Sequence, residues 1–481
     1  MSVLMSAPPK VNAEPLTNQD SPRGAEDVPM RASAKENGAA PHGKPGVRRL
    51  GLRAVTSFAL AAAAVLAVTL LLARGGACGR AASRAPPTAP PTAAPTAAPT
   101  ATATLPPTAI TYRPGELTVE VESLLLSTGL NASLIAATGV PVISNGTATV
   151  LNLATLATAL NTSTGETIGM FHANPDAALT FAAQDGGWVY ASNSESGDWK
   201  GGAYALRFDQ DGEIMDYYQI LNGTSKNCGC GRTPWETFLS CEEQDDGACW
   251  EASPFGDFAA RRTNLTRVGG RYESAAFHIN GTRVSYYVTE DVKDGPLTRF
   301  VPHDVTKVTG LGAHAYLLLD PGSNTFAWTA DREAVAENAK DHYRTCEGIN
   351  IQGDALYMVS KERRELFVLD LRAGTYVKVS TESGSFGNQP DQILRIREDD
   401  PVLYFSEEGS GPDSGVHGWV ERTEQWFSVL ERAGSSETVG VAFSPDGRHL
   451  YVAIQLEGLL FDVTRDDGFA FDDPTLGVVY H

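Results

Sequence analysis

Acidic residues recur close to the starts of predicted strands in the C-terminal part of this 481-residue chain. Four of them are Glu273, Glu347, Asp391 and Glu437, and successive members are 74, 44 and 46 residues apart. Carboxylates that meet at one place repel one another unless cations lie between them. Since Ca²⁺ takes about six to eight oxygen ligands, the repeat favours a calcium-binding ring over isolated caps of surface turns.

A second set of acids follows the predicted strands that contain tyrosine. Its members are Glu195, Glu290, Asp291, Glu362, Glu407, Glu408 and Glu457. Charges at the edges of strands discourage aggregation, and this role explains most of the set. Glu195 is in addition a candidate metal ligand, because a motif described below includes it.

Cysteines are concentrated in the segment NCGCGRTPWETFLSCEEQDDGACW, which contains Cys228, Cys230, Cys241 and Cys249. With Cys346, the part of the chain after residue 110 has five cysteines. In an exported domain disulfides are the first interpretation, and an odd number leaves one thiol over, which could bind a transition metal. The nine histidines form neither H-x-H nor H-E-x-x-H, which argues against a histidine-based zinc hydrolase.

The elements that must position these residues are short strands preceded by turns rich in Gly, Asp and Asn. Tyrosines in these strands lie 97, 70, 47 and 47 residues apart, at Tyr190, Tyr287, Tyr357, Tyr404 and Tyr451. The last two intervals match one blade of a β-propeller. The sequence therefore predicts an all-β domain over 111–481, a propeller of six blades. Because the innermost strand of each blade lines the central channel, acids at equivalent strand starts are expected to converge at one channel mouth.

The N-terminal part of the chain is predicted not to be globular. Residues 1–53 are expected to be disordered and cytoplasmic, and 54–73 form an uncharged apolar stretch long enough to span a membrane. Arginines on the N-terminal side of this stretch favour a cytoplasmic N-terminus. The length of the stretch and of the segment before it favours an uncleaved single-pass anchor, with a cleaved signal peptide as the alternative. Residues 74–110, rich in Ala, Pro and Thr, predict an extended stalk.

Charge and glycosylation motifs agree with an exported domain. Six N-x-[S/T] motifs all follow the apolar stretch, at Asn131, Asn145, Asn161, Asn222, Asn264 and Asn280. They place the propeller outside the cell or in the secretory lumen. The formal charge is −20 for the chain and −26 for residues 111–481, which argues against nucleic-acid binding.

The cysteine segment resembles the signature of a known family. NCGCGRTPWETFLSCEE, residues 227–243, is similar to the N-C-A-G-G-x-T-P-W-G-T-W-L-x-C-E-E motif of PhoX-type alkaline phosphatases. Weaker matches to this family follow the same order over about 185–458. They are NSE at 193–195, YE at 272–273, CEG at 346–348, PD at 390–391, FSPDG at 443–447 and IQ at 454–455.

The resemblance implies a six-bladed propeller with iron (Fe³⁺) and calcium (Ca²⁺) at one channel mouth. It implies that Cys228 binds iron and that Glu273 and Glu347 bridge or bind iron and calcium. Further calcium ligands would be Asp391, Glu195, Glu242 and Glu243. The remaining Cys230, Cys241, Cys249 and Cys346 would then be an even number, available for disulfides.

Some positions depart from the family motifs. The arginine expected to hold the phosphate is Thr345, and Arg344, one residue earlier, is the candidate catalytic residue in its place. Ala453 and Leu456 replace an asparagine and a histidine of the closing motif. The predicted function is a membrane-anchored, outward-facing phosphatase that acts on a small phosphate ester. The alternatives are a calcium-dependent lactonase-type hydrolase and a non-enzymatic surface-binding propeller.

Overall fold

The structure is a computed structural model that describes residues 112–144, 166–409, 413–434, 436–472 and 478–481. The predicted disordered segment 1–53, membrane anchor 54–73 and stalk 74–110 lie outside these ranges. Of the residues described, none belongs to a helix with both the length and the apolar character needed to cross a bilayer.

Strands are almost the only regular elements among the described residues. The first five are β1 (Arg113–Val121), β2 (Leu124–Thr128), β3 (Leu130–Ala137), β4 (Pro141–Ser144) and β5 (Glu166–Met170). The first blade contains β6 (Pro175–Ala182), β7 (Trp188–Ser194), β8 (Gly201–Phe208) and β9 (Ile214–Thr224). The second contains β10 (Asn227–Arg232), β11 (Phe238–Gln244), β12 (Cys249–Ala252) and β13 (Arg261–Arg262).

The third blade contains β14 (Gly270–Asn280), β15 (Arg283–Glu290), β16 (Thr298–Pro302) and β17 (Gly312–Asp320), extended by β18 (Thr325–Thr329). One helix, α1 (Glu333–His342), leads to the fourth blade. This blade contains β19 (Cys346–Gln352), β20 (Ala355–Ser360), β21 (Glu365–Asp370) and β22 (Thr375–Ser380). The fifth contains β23 (Gln389–Leu394), β24 (Val402–Glu408), β25 (Asp413–Val420) and β26 (Gln425–Ala433).

The sixth blade closes the ring with a strand from far earlier in the chain. It contains β27 (Thr438–Phe443), β28 (His449–Ile454) and β29 (Leu459–Arg465), and β29 pairs with β3. The inner strands β6, β10, β14, β19, β23 and β27 contact one another in that order, and β27 contacts β6. The predicted β-propeller is therefore confirmed, and the described strands form six blades.

The tyrosine repeat marks the second strand of a blade. Tyr190, Tyr287, Tyr357, Tyr404 and Tyr451 are buried in β7, β15, β20, β24 and β28. Their rings pack within and between neighbouring blades, as where Tyr190 and Tyr451 lie 5.2 Å apart between ring centroids. The second blade has no tyrosine in its second strand, β11. This explains the long first interval of the repeat, which spans two blades.

Candidate metal centre

The inner strand of each blade carries a β-bulge near its start. Two residues of the inner strand there oppose one of the next strand, as between the pairs Tyr272–Glu290 and Ala275–Val288. A bulge bends the strand and re-aims the side chain within it. The residue that directly follows the last pair before the bulge is, from the first to the fifth blade, Asp176, Cys228, Glu273, Glu347 and Asp391.

These five residues are thus structurally equivalent, and we call them the bulge residues. Four are acids and one is a thiol, so Cys228 occupies in the second blade the place that an acid has in its neighbours. In the sixth blade the equivalent residue is Gly440, not Glu437, which lies three residues earlier and precedes β27. The sequence repeat therefore predicted the wrong residue for the last blade, Glu437 in place of Gly440.

Glycines let the inner strands approach closely enough to bring the bulge residues together. A Cβ atom on Gly229 would lie 2.3 Å from the backbone carbonyl carbon of Glu273. A Cβ atom on Gly348 would lie 2.4 Å from the backbone oxygen of Asp391. Any side chain at these positions would push neighbouring blades apart. The glycine that follows each of Cys228 and Glu347 is therefore part of the site's construction.

The first cluster at this end of the channel combines sulfur and oxygen. The Sγ atom of Cys228 and carboxylate oxygens of Glu243 and Glu273 lie within 4.8 Å of one another. We call these three residues the thiol cluster. Within the described part of the chain, neither Glu243 nor Glu273 forms an ion pair. One sulfur and two carboxylates are a donor set that fits the iron and calcium implied by the resemblance.

Burial and crowding perturb the thiol cluster strongly. Burial raises the pKa of Glu273 well above its usual range, and the nearby Glu347 and Glu243 raise it further. Burial, with Glu195 and Asp291, raises the pKa of Glu243 to about 7. Burial likewise raises the pKa of the Cys228 thiol, and four neighbouring acids add to the effect. Without a cation these groups tend to hold protons, and a bound cation would displace those protons.

A second cluster contains an internal cation. The Lys361 Nζ atom lies 2.6 Å from Asp291 Oδ2, 2.6 Å from Glu347 Oε1 and 3.2 Å from Glu408 Oε2. We call these four residues the lysine cluster. Burial by itself lowers the pKa of Lys361, but Glu347, Glu408 and Asp291 raise it more, so its pKa lies above the usual value. The side chain is therefore a charged ammonium group.

A third group of acids surrounds Gln455. The Nε2 atom of Gln455 donates to Asp176 Oδ2 at 2.9 Å and to Glu195 Oε2 at 3.0 Å. Burial, followed by repulsion from Glu195, Asp391 and Glu437, raises the pKa of Asp176. Burial and Asp391 raise the pKa of Glu437 to about 9. Glu195 also lies near Lys226, with the Nζ atom 3.7 Å from Oε1.

Two of the residues singled out in the sequence lie apart from these clusters. Glu242 accepts hydrogen bonds from the backbone N–H of Ser225 at 3.0 Å and from Trp250 Nε1 at 2.9 Å. It precedes Glu243 in β11, and successive side chains of a strand point to opposite faces. Glu242 therefore stabilises the second blade internally. The Nη1 atom of Arg344 lies 3.7 Å from Glu362 Oε2, and the two side chains form an ion pair.

The four cysteines left as available for disulfides form one disulfide and not two. Cys241 and Cys249 face each other across β11 and β12 and are bonded. Cys230 and Cys346 are buried free thiols in different blades. The Sγ atom of Cys346 donates to the backbone oxygen of Tyr343 at 2.8 Å. The five cysteines after residue 110 thus leave three thiols, of which Cys228 lies in the thiol cluster.

Sequence reasoning missed four residues of this region. They are Asp176, Asp291, Lys361 and Glu408. Asp176 had a usable signal, because Pro175-Asp176 repeats the Pro390-Asp391 pair at the start of an inner strand. Asp291 and Glu408 belong to the acids that follow the tyrosine strands, which were attributed to edge charges. The pattern around Lys361 carried no signal, since its partners come from three separate blades.

Comparisons with known proteins show what this arrangement is similar to. The family model described as alkaline phosphatase PhoX matches residues 199–279, which include the whole thiol cluster. The structure of Pseudomonas fluorescens PhoX in complex with vanadate, a transition state analogue, is 15% identical, with a TM-score of 0.58. The alignment covers 76% of this chain and 99% of that chain.

Other comparisons are weaker. The PQQ domain of pyranose dehydrogenase from Coprinopsis cinerea is 12% identical, with a TM-score of 0.42, over 71% of this chain and 97% of that chain. Comparison with curated protein sequences gives no match. The predicted resemblance to the PhoX-type alkaline phosphatases is therefore confirmed, for residues 199–279 by the family signature and for the propeller by the solved structure.

Proposed function

We propose that this chain is a metal-dependent phosphoric ester hydrolase that faces outward from a membrane anchor and uses iron and calcium. The observation that carries the proposal is the thiol cluster, where the family signature and the geometry select the same residues. Cys228, Glu243 and Glu273 come from three different strands and meet within 4.8 Å. Buried acids without a basic partner are costly unless cations compensate them.

The residues of the site have separable roles in such a reaction. Cys228, Glu243 and Glu273 would hold iron and adjacent calcium, while Asp176, Glu195 and Asp391 offer further oxygen ligands at the mouth. Bound cations would neutralise phosphate oxygens and make a water molecule more acidic. Gln455 fixes the orientation of two carboxylates, Asp176 and Glu195, through its single amide group.

The anchor and the outward orientation are part of the proposal. Residues 54–73 would span the membrane, and the stalk at 74–110 would hold the six-bladed propeller away from it. In support, the asparagines of the four described N-x-[S/T] motifs are all exposed, at Asn131, Asn222, Asn264 and Asn280. Exposure is what glycosylation requires.

The experiment is hydrolysis of p-nitrophenyl phosphate and bis-p-nitrophenyl phosphate by the detergent-purified full chain, together with its metal content. We expect hydrolysis of one or both esters, iron and calcium in the protein, and loss of activity on chelation. Iron-free protein that leaves both esters intact would overturn the proposal. Calcium without iron, together with cleavage of a lactone, would favour the lactonase-type alternative.

A further inference from the structure

The lysine cluster is built from three blades around one ammonium group. Asp291 directly follows β15 of the third blade, Glu347 lies in β19 of the fourth, and Glu408 ends β24 of the fifth. An ammonium group has three N–H donors, and each of the three carboxylates lies within 3.2 Å of the Nζ atom. The single positive charge of Lys361 thus lies close to three carboxylates at once.

Backbone contacts hold Lys361 in this place. Its N–H donates to the backbone oxygen of Thr345 at 2.9 Å, and the N–H of Glu362 donates to the Thr345 side-chain oxygen at 3.2 Å. The N–H of Asp291 donates to the backbone oxygen of Arg271 at 2.9 Å. The lysine side chain is largely buried, with 18% of its surface exposed. The ammonium group is therefore a fixed part of the channel mouth and not a mobile surface charge.

We propose that the ammonium group of Lys361 takes the place of a divalent cation among Asp291, Glu347 and Glu408, so that this sector of the channel mouth binds no metal. A Ca²⁺ ion would need to lie about 2.3–2.6 Å from the same carboxylate oxygens that the ammonium group already contacts. Two cations that close repel each other strongly in a buried site. The bulge residue Glu347, for which the resemblance implies a metal, is thus paired with a cation of the protein itself.

The proposal concerns the number of bound ions and does not depend on hydrolysis. It predicts that the metal complement of this chain is smaller than its ring of acids suggests. Metal would bind at the thiol cluster and near Asp176, and the fourth blade would contribute a lysine-bound carboxylate. A chain without phosphatase activity could still bind metal at the thiol cluster and none at the lysine cluster. Failure of this proposal is therefore distinguishable from failure of the proposed hydrolase activity.

The test is the calcium content of the full-length Lys361→Met protein, measured by mass spectrometry after dialysis against calcium buffer. Removal of the ammonium group leaves three carboxylates, and we expect about one additional calcium ion per chain. Lys361→Arg, which keeps the charge, should bind the same amount of calcium as the wild type. Lys293→Met is the matched control, because among the described residues Lys293 pairs with the outer acid Glu362, at 3.3 Å, and not with the lysine cluster.

An unchanged calcium content in Lys361→Met would overturn the proposal. If that variant does not fold, Glu408→Gln in the wild-type background provides the second measurement. Because Glu408 would bind Lys361 and not calcium, the Glu408→Gln protein should contain as much calcium as the wild type. A loss of one calcium ion in Glu408→Gln would show that the carboxylate is a metal ligand and would contradict the proposal.

Discussion

The thiol cluster and the lysine cluster each contain a glutamate at a bulge position, but the charges around the two glutamates differ. In the thiol cluster, Glu273 has acidic neighbours and a thiol, and no ion pair within the described ranges. In the lysine cluster, Glu347 lies 2.6 Å from an ammonium group. One blade therefore depends on an external cation, whereas the next carries its own. Equivalent positions in a repeated fold do not have equivalent partners, because Glu273 meets side chains of the second blade, whereas Glu347 meets a lysine of its own blade.

Removal of a ligand from the thiol cluster should have the largest effect. Cys228→Ala and Glu273→Gln each take away a donor that no other side chain of the cluster can replace. We expect loss of iron and a fall in ester hydrolysis of at least ~100-fold, since even loss of outer partners of a metal site costs about 10- to 100-fold. Metal analysis and kcat/KM would measure this.

The control for that experiment is Cys346→Ser, which keeps a donor toward the Tyr343 carbonyl in the same protein. It should retain iron and activity. If Cys228→Ala keeps its iron, the thiol cluster is not the iron site and the comparison between the two clusters fails.

Chelation should reveal a pH dependence that comes from the buried acids. The pKa of Glu243 and of Asp391 is raised to about 7, and that of Glu437 to about 9. A carboxyl group whose pKa is higher in the folded than in the unfolded state loses stabilising energy as the pH rises through the folded value. The free energy of unfolding of the chelated protein should therefore fall between about pH 4 and pH 9.

Thermal unfolding of the chelated protein at several pH values would measure this decline. Calcium should reduce it, because bound cations favour the deprotonated carboxylates and stabilise the folded state by mass action. A chelated protein that becomes more stable as the pH rises from 5 to 9 would contradict the expectation.

Glu242→Gln should distinguish the structural role of Glu242 from the metal-binding role proposed for its neighbour Glu243. The Glu242 carboxylate accepts N–H groups on both oxygens, and an amide would turn its own N–H₂ toward one of these donors. We expect a loss of about 2 kcal/mol in the free energy of unfolding, with unchanged iron content. Denaturant unfolding would measure the loss of stability, and metal analysis would measure the iron content. Loss of iron in this variant would show that Glu242 is a metal ligand.

Arg344→Gln should have the smallest effect. Arg344 faces Glu362 at 3.7 Å, and an ion pair whose side chains are 33% and 32% exposed contributes little energy. We expect kcat/KM for a phosphate ester to change by less than about fivefold. A loss of ~100-fold or more, as when a group that stabilises the transition state is removed, would assign Arg344 the phosphate-binding role.

The sequence predicted the propeller and part of its channel mouth because both leave a periodic trace. The tyrosine strands recur, and Glu273, Glu347 and Asp391 follow the same period. Cys228 broke the pattern of acids, and only the family motif suggested its role. The pattern also chose Glu437 for the last blade, where the bulge instead contains Gly440.

What the sequence by itself determined is therefore the repeated element: a strand with an acid near its start, followed after a turn by a strand that contains tyrosine. Only the tertiary structure decided which neighbours these residues meet. Glu242 and Glu243 are adjacent in sequence, yet strand alternation sends one into the blade and the other to Cys228. Lys361 meets acids of three consecutive blades because neighbouring blades converge at the channel mouth, and the sequence pattern does not contain those distances.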